Sequence, residues 1–168
     1  MSGAGMSDAD HIRNQLYLYA EAIDAGDIDA LRTLFEHAVL SLEGGATWRG
    51  RRCGGDDSQP GPWRATAAGG GPKGTKHLVT NVIVSIDDSG DEASTRATFA
   101  VLQAVEGFPL QPIISGRYHD SLRRIDGAWR FTSRRYIVDL VGNAAPLLGI
   151  SDDQLVAMQH SATGWSQG

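Results

Sequence analysis

The stretch IISGRYHDSLRRIDGAWRFTSRRY, from Ile113 to Tyr136, decides the fold of this chain. Apolar and polar residues alternate on both sides of Asp126 and Gly127. An Asp-Gly pair between two runs of this kind predicts a two-residue hairpin turn. Because the arms of the hairpin are long, they predict a broad curved sheet whose apolar face is covered by other elements.

Upstream of the hairpin, the sequence predicts two helices. The first begins after Ser7, a favourable N-cap residue, and ends at Gly26, which suits a left-handed C-cap. Its apolar stripe consists of Ile12, Leu16, Tyr19, Ala20 and Ile23. At 100° per residue, Asp24 falls about 40° from Ala20, so its carboxylate is predicted at the edge of the core. Asp27 is predicted to cap the second helix.

Three further stretches have the length and composition of strands: Val39–Glu43, His77–Ile86 and Ala93–Val105. Strict alternation places His77 on one face with Asn81 and Ile83. A loop is predicted from Glu106 to Pro112. The order helix, helix, strand, loop and four strands predicts an α+β domain, in which a strongly curved, mostly antiparallel sheet wraps around the N-terminal helices as a cone-shaped barrel.

The segment from Gly44 to Lys76 is rich in Gly, Arg, Pro and Ser and has little periodicity. A segment of this length inside a compact domain is usually a functional lid or a partly disordered loop. Trp48 and Trp63 within it either cover an apolar ligand or only anchor the loop.

The predicted boundaries are a flexible extension at residues 1–6, one α+β domain at 7–141 and a C-terminal extension at 142–168. In the last of these, Ser151 and Gln154 have the spacing of a capping box that opens a short helix.

Composition excludes several classes of function. The chain has 168 residues and a net charge of −5, which argues against a nucleic-acid partner. Its one cysteine, Cys53, excludes an internal disulfide, and no Cys/His set has zinc spacing. Since the sequence has neither a signal peptide nor an apolar run long enough to span a membrane, we expect a cytoplasmic protein without a membrane partner.

The chain resembles the SnoaL-like family of the nuclear-transport-factor-2-like superfamily from Arg13 to Val141. The resemblance is carried by YAEAIDAGDIDALRTLF, LEGGATWRG, TKHLVTNVIV and SGRYHDSLRRIDGAWRFTSRR. Within that family, the chain most resembles the branch of scytalone dehydratase and γ-hexachlorocyclohexane dehydrochlorinase. Those enzymes carry an Asp at the end of the first helix and a His at the start of a central strand, which correspond to Asp24 and His77. Arg134 corresponds to a catalytic arginine of the dehydrochlorinase.

Other positions depart from that branch. Gln103 stands where scytalone dehydratases have a second histidine, and Ile23 where they have a tyrosine. Tyr19 stands where the dehydrochlorinase has a lysine. The acid–histidine pair is therefore kept while the substrate-contacting groups differ. Because the superfamily also contains cyclases, isomerases, non-catalytic dioxygenase subunits and binding domains, fold analogy alone does not assign a function.

The residues suggest proton abstraction. A histidine is suited to act as a general base near neutral pH, and a carboxylate such as that of Asp24 would hold the His77 ring in one tautomer. The alternative is a histidine hydrogen-bonded at a strand end for structural reasons. Tyr118 either polarises a substrate carbonyl or is an ordinary core tyrosine. The predicted substrate-contacting residues are Tyr19, Trp48, Phe99, Val101, Gln103, Tyr118 and Arg134.

Two of these positions depend on strand parity. Strict alternation puts Arg134 on the face opposite Trp129 and Phe131, so a bulge is needed to bring it into a pocket. Asp120 is predicted at the rim of that pocket, and His119 on the outer face of the sheet.

The leading hypothesis is a cofactor-independent lyase of the dehydratase or dehydrohalogenase type, with no metal. Its substrate would be small, apolar and cyclic, of a polyketide, steroid or terpenoid kind. One alternative is an isomerase or polyketide-type cyclase that uses the same pair, and another is a non-catalytic small-molecule-binding or assembly domain. The resemblance implies a homodimer or homotrimer, assembled with help from the segment after Val141.

Overall fold

The computed structural model describes residues 5–45, 47–50, 74–145, 151, 153, 154, 156, 157 and 159. Its helices and strands are α1 (Asp8–Ala25), α2 (Ile28–Leu34), β1 (Val39–Leu42), β2 (Thr47–Arg49), β3 (Thr75–Ile86), β4 (Glu92–Val105), β5 (Phe108–Ile125) and β6 (Ala128–Val141). The predicted α+β class is confirmed.

Capping residues set the ends of the two helices at the predicted positions. The Ser7 hydroxyl accepts a hydrogen bond of 3.2 Å from the Asp10 backbone N–H at the start of α1. Gly26 ends α1 with a φ of 69°, a left-handed conformation that glycine adopts without steric cost. The Asp27 carboxylate then accepts a hydrogen bond of 2.9 Å from the Ala30 N–H and caps α2. As a result, Asp24 lies in the last turn of α1.

The strands form one six-stranded sheet in the order β2-β1-β6-β5-β4-β3. Only β1 and β6 run parallel, and every other pair is antiparallel. The predicted curved, mostly antiparallel sheet is confirmed. It is curled but not closed, with β2 and β3 as its edges. Helix α1 packs against β3 and β6, so the inner face of the sheet carries the core.

The central hairpin has the predicted turn. Asp126 and Gly127 have φ values of 49° and 76°, the pair of positive angles that defines a type I′ turn. The predicted loop from Glu106 to Pro112 is wrong, because β5 already begins at Phe108. Bulges in the β4–β5 pairing accommodate this proline-containing stretch within the strand.

Two further bulges decide which side chains face the core. In β3 the register shifts between Thr80 and Ile83, and Asn81 has a φ of 53°. The shift turns Val82 inward and leaves Ile83 52% exposed, so the predicted sharing of a face by His77, Asn81 and Ile83 is wrong.

In β6 the pairing passes from Leu122–Phe131 to Ser121–Ser133, which leaves one extra residue in β6. Because a one-residue shift exchanges the two faces of a strand, Arg134 lies on the inner face together with Phe131. This is the bulge that the sequence required for Arg134 to enter the interior.

Gly116 lies where the backbone of β6 and the Phe99 ring leave no room for a side chain. A Cβ atom there would collide with the Ile137 carbonyl oxygen and lie 2.9 Å from the Phe99 ring. Its absence lets Phe99 stack on Tyr118, with ring centroids 4.3 Å apart and planes 7° from parallel. Glycine at this position therefore allows β5 to carry a large aromatic side chain in the centre of the sheet.

The C-terminal segment contains the predicted capping box. The Ser151 N–H donates to the Gln154 side chain at 2.9 Å, and the Gln154 N–H donates to the Ser151 hydroxyl at 3.3 Å. Gln159 donates to the Gly142 carbonyl at 3.2 Å and connects this segment to the end of the sheet. Within the described ranges, no helix combines the length and the apolar character that crossing a membrane requires.

Candidate active site

The end of α1 meets the start of β3 in a short hydrogen-bonded contact. The His77 ring Nδ1 lies 2.6 Å from the Asp24 Oδ1, and both side chains are less than one tenth exposed. The His77 backbone N–H also donates to the Asp24 Oδ2 at 2.9 Å, and the Thr75 hydroxyl donates to Oδ1 at 3.2 Å. The two residues that the sequence predicted to work together are thus in direct contact.

This set of donors explains why an acid is tolerated at the end of α1. A carboxylate in the last turn is disfavoured by the helix dipole. Donors from Thr75 and His77 at the start of β3 offset that cost, because they satisfy both carboxylate oxygens. An ionised carboxylate can only accept hydrogen bonds, so Nδ1 of His77 carries a proton, and in the neutral form of the ring Nε2 has a free lone pair.

The pKa of Asp24 is lower than that of an ordinary aspartate. Burial is the largest single effect and raises this pKa, but it is outweighed by the hydrogen bonds from the His77 ring and backbone and by nearby positive charge. Part of that charge comes from Lys76, whose Nζ lies 3.8 Å from the Asp24 Oδ2. Asp24 therefore stays ionised at neutral pH and can orient a base.

The lowered pKa of Asp24 predicts a pH dependence of folding stability. A group whose pKa is lower in the folded state stabilises the fold above its unfolded pKa, about 3.9, and loses that contribution as the pH falls through the folded value. Between about pH 5 and pH 3, wild-type protein should therefore lose more stability than Asp24→Asn, which cannot titrate at this position. Urea unfolding of both proteins across this range tests the expectation. Parallel pH profiles would contradict it.

A buried ion pair lies on the inner face of the hairpin. Arg134 donates two hydrogen bonds of 2.8 Å to Asp120, and both side chains are fully buried. The Thr95 hydroxyl adds a contact of 3.2 Å to the Asp120 carboxylate. Burial acts to lower the pKa of Arg134, but the charge and hydrogen bonds of Asp120 raise it overall, so the guanidinium stays charged. The prediction that Asp120 lies at a rim is wrong.

Aromatic rings surround the Arg134 guanidinium. Its central carbon lies 4.3 to 5.9 Å from the ring centroids of Tyr118, Tyr19, Phe131, Phe35 and Tyr136. Contacts of this kind stabilise a desolvated cation. Within the part of the chain that the structure describes, the buried Nη1 of Arg134 has no hydrogen-bond partner. The two N–H groups of this nitrogen are thus left for a further acceptor.

Tyr19 lies between the Asp24–His77 contact and the Asp120–Arg134 ion pair. Its ring centroid lies 6.2 Å from that of His77 and 5.8 Å from that of Tyr118. Burial raises the pKa of both tyrosines, and the positive charge of Arg134 only partly offsets this rise. The two phenols therefore keep their protons at neutral pH.

The other predicted contact residues divide into two groups. Phe99, Val101 and Gln103 are buried on the inner face of β4, where Val101 pairs with His77 and Gln103 with Thr75. Trp48 lies on β2, a strand missing from the sequence prediction, and packs partly buried against the core. Trp63 lies outside the described residues.

Sequence reasoning missed several members of the site. Thr75 was not singled out, although it lies two residues before His77 and therefore on the same face of β3. Asp120 was not recognised as the partner of Arg134, although the two become directly paired once the β6 bulge is placed. Among the described residues, no three His, Cys, Asp or Glu side chains come together as potential metal ligands.

The model of the SnoaL-like domain family matches residues 5–135. No curated protein matches the chain at a significant level. An NTF2-like protein with a cystatin-like fold from Novosphingobium aromaticivorans is 26% identical, with a TM-score of 0.64 over 86% of this chain and 89% of that one.

Two other solved structures share the fold at lower identity. A candidate scytalone dehydratase from Novosphingobium aromaticivorans is 21% identical, with a TM-score of 0.61 over 82% of this chain and 91% of that one. LinA is also 21% identical, with a TM-score of 0.58 over 76% of this chain and 83% of that one. The family resemblance drawn from the sequence is confirmed.

Proposed function

Because the chain belongs to the SnoaL-like domain family, we propose that it is a cofactor-independent lyase in which His77, oriented by Asp24, removes a proton from carbon. The observation that carries the proposal is the 2.6 Å contact between the His77 Nδ1 and the Asp24 Oδ1, buried at the junction of α1 and β3. The contact favours the tautomer whose Nε2 is free to accept a proton.

The reaction proposed is an elimination. His77 Nε2 takes the proton, the electron pair of the broken C–H bond forms a C=C bond, and a group on the adjacent carbon leaves with its own electron pair. A halide leaves as the anion. A hydroxyl leaves as water, after receiving a proton from the imidazolium or from a tyrosine phenol. No external oxidant or reductant is needed.

Arg134 and the two tyrosines supply the complementary electrophile. A charged guanidinium whose Nη1 has no hydrogen-bond partner among the described residues lies beside two phenols that keep their protons, and together they form a buried polar group. Such preorganised donors stabilise developing negative charge most strongly where water is excluded. We assign to Arg134, Tyr19 and Tyr118 the stabilisation of an enolate oxygen or of the leaving group.

The surroundings favour a small apolar substrate. Phe99 and Val101 are buried beside the tyrosines on the inner face of β4 and offer apolar contact to a ring. We propose a cyclic substrate of the polyketide, steroid or terpenoid class, with the Gln103 amide as a polar contact at the end of β4 that pairs with Thr75.

An isomerase is the second candidate, favoured by the two buried phenols that keep their protons. In an isomerisation, the proton taken by His77 returns to another carbon of the same molecule while Tyr19 and Tyr118 hold the intermediate enolate. The groups involved are the same as in elimination. Only the fate of the proton and of the leaving group differs.

A screen in D2O tests the proposed chemistry whichever group departs from the substrate. Wild-type protein should incorporate deuterium into, or convert, members of a panel of cyclic ketones, β-hydroxy ketones and cyclic halides. Product mass separates the outcomes, because elimination loses water or hydrogen halide and isomerisation conserves composition. Tight binding without exchange or conversion would contradict both enzymatic candidates and favour a binding domain.

We also propose that the chain forms a homodimer or homotrimer, with the domain ending at Val141 and the segment after it contributing to assembly. Exposed apolar side chains support this proposal, among them Leu110 and Leu140, which are 68% and 62% exposed. Apolar side chains exposed to this degree are candidates for burial between copies.

A further inference from the structure

A groove of about 510 Å³ crosses the outer face of the sheet, on the side opposite the Asp24–His77 contact. Its volume is within the range of small-molecule sites, about 300 to 1,000 Å³. Six of the polar side chains that line it are basic or neutral: Ser94, Arg96, His119, Ser121, Ser133 and Arg135. The proposed lyase chemistry does not use them.

Strand register brings these side chains together in two rows. Arg96 pairs with His119 across β4 and β5, and His119 pairs with Arg135 across β5 and β6. The neighbouring row, two residues away along each strand, consists of Ser94, Ser121 and Ser133. Because cross-strand partners have Cβ atoms about 4.5 to 5.5 Å apart, each row is a continuous line of hydrogen-bonding groups.

The basic row presents donors. The Arg135 Nη2 lies 3.3 Å from the His119 Nδ1. Since a guanidinium can only donate, Nδ1 accepts this bond and Nε2 of His119 carries the proton. Three neighbouring serine hydroxyls can donate as well. An anion with several acceptor oxygens would therefore meet donors from both rows.

The two arginines of the basic row have weaker acidic partners than the other arginines on this face of the sheet. Arg117 is held by Asp139 through two hydrogen bonds, and Arg123 is paired with Glu92. The Arg96 side chain, by contrast, makes no ion pair or hydrogen bond among the residues that the structure describes. Arg135 has only a long contact of 3.8 Å with Glu43, and both side chains are about half exposed. The Asp120 carboxylate, which lies on the inner face of the sheet, is paired with Arg134.

We propose that this groove binds the phosphoryl group of a small phosphate monoester. Guanidinium groups match phosphate oxygens in charge and geometry, and hydroxyl donors can complete the shell. Arg96 and Arg135 lie on either side of His119, so a dianion bound over this histidine would meet both guanidinium groups. Since the whole chain carries a net charge of −5, attraction of the anion comes from this local arrangement.

Calorimetric titration with phenyl phosphate tests the site, with inorganic phosphate and phenol as the comparison ligands. Phenyl phosphate should bind, and phenol should not. Arg96→Gln and Arg135→Gln should each weaken binding about tenfold or more, the usual effect of losing one hydrogen bond between charged groups. Arg123→Gln removes the same charge from a paired arginine on the same face, and should leave the affinity within about twofold of wild type.

Three results would overturn the proposal. The first is the absence of phenyl phosphate binding to wild-type protein at low salt, which would also follow if another copy of the chain covers the groove. The second is an equal loss of affinity in all three arginine variants, which would indicate unspecific attraction to charge. The third is binding of inorganic phosphate as tight as that of the ester, which would leave the rest of the groove without a role.

Discussion

Replacement of His77 by alanine is expected to reduce turnover, or deuterium exchange into a substrate, by about a hundredfold or more, the usual contribution of a positioned general base. The reason is that Asp24 can orient a base but is itself held by donors from β3. Tyr19 and Tyr118 cannot replace it, because burial raises the pKa of both phenols.

The control for this variant is His37→Ala, which removes an exposed histidine in the turn after α2. Both variants should have the same circular dichroism spectrum as wild-type protein, and His37→Ala should keep wild-type rates. If His77→Ala is folded and turns over at the wild-type rate, the base assigned here is wrong. If both histidine variants lose activity equally, the loss does not come from the Asp24–His77 pair.

Replacement of Asp120 by alanine should destabilise the protein by about 3 to 5 kcal/mol, the usual cost of removing one partner from a buried ion pair. The change leaves the Arg134 guanidinium charged and fully buried, with aromatic rings around it but no counter-ion. Urea unfolding followed by fluorescence measures the loss. A decrease in the midpoint without a change in slope would identify it as a loss of stability.

Asp139→Ala is the matched control for the Asp120 variant. It removes an aspartate that makes the same two-bond contact to an arginine, but in an exposed pair with Arg117. Because exposed ion pairs contribute little, the control should unfold close to wild type. An Asp120→Ala variant no less stable than Asp139→Ala would contradict the assigned role of the buried pair.

Local signals were sufficient to predict the helices, the hairpin and the place of Asp24 at the edge of the core. The caps at Ser7, Gly26 and Asp27 and the turn at Asp126–Gly127 each depend on the backbone preferences of one or two residues. Asp24 was predicted at the core edge from helical periodicity alone. His77 was singled out as its partner because of the family resemblance, since alternation in β3 gives no reason to prefer it.

The bulges were the main obstacle to predicting the rest. A single extra residue exchanges the two faces of a strand, and its position depends on pairing with a neighbour that local sequence does not specify. For this reason the faces of β3 beyond Asn81 were assigned wrongly, and the Asp120–Arg134 pair was not found. The three-residue strand β2 has too few residues to show any periodicity.

Buried polar networks are hard to predict for a related reason. Arg134 is fully buried, which is rare for arginine and requires a partner. Its burial depends on Asp120 and on the rings of Tyr19 and Tyr118, which come from α1 and β5. No one segment of the sequence contains this set.

The tautomer of His77 tests the central claim most directly, because a base at this position requires a free Nε2. Nitrogen-15 NMR of histidine-labelled protein distinguishes the two ring nitrogens near neutral pH. We predict a proton on Nδ1 and an unprotonated Nε2 in wild-type protein, and a loss of this preference in Asp24→Asn. A proton on Nε2 with Nδ1 unprotonated, or a tautomer unaffected by the Asp24 substitution, would contradict the account.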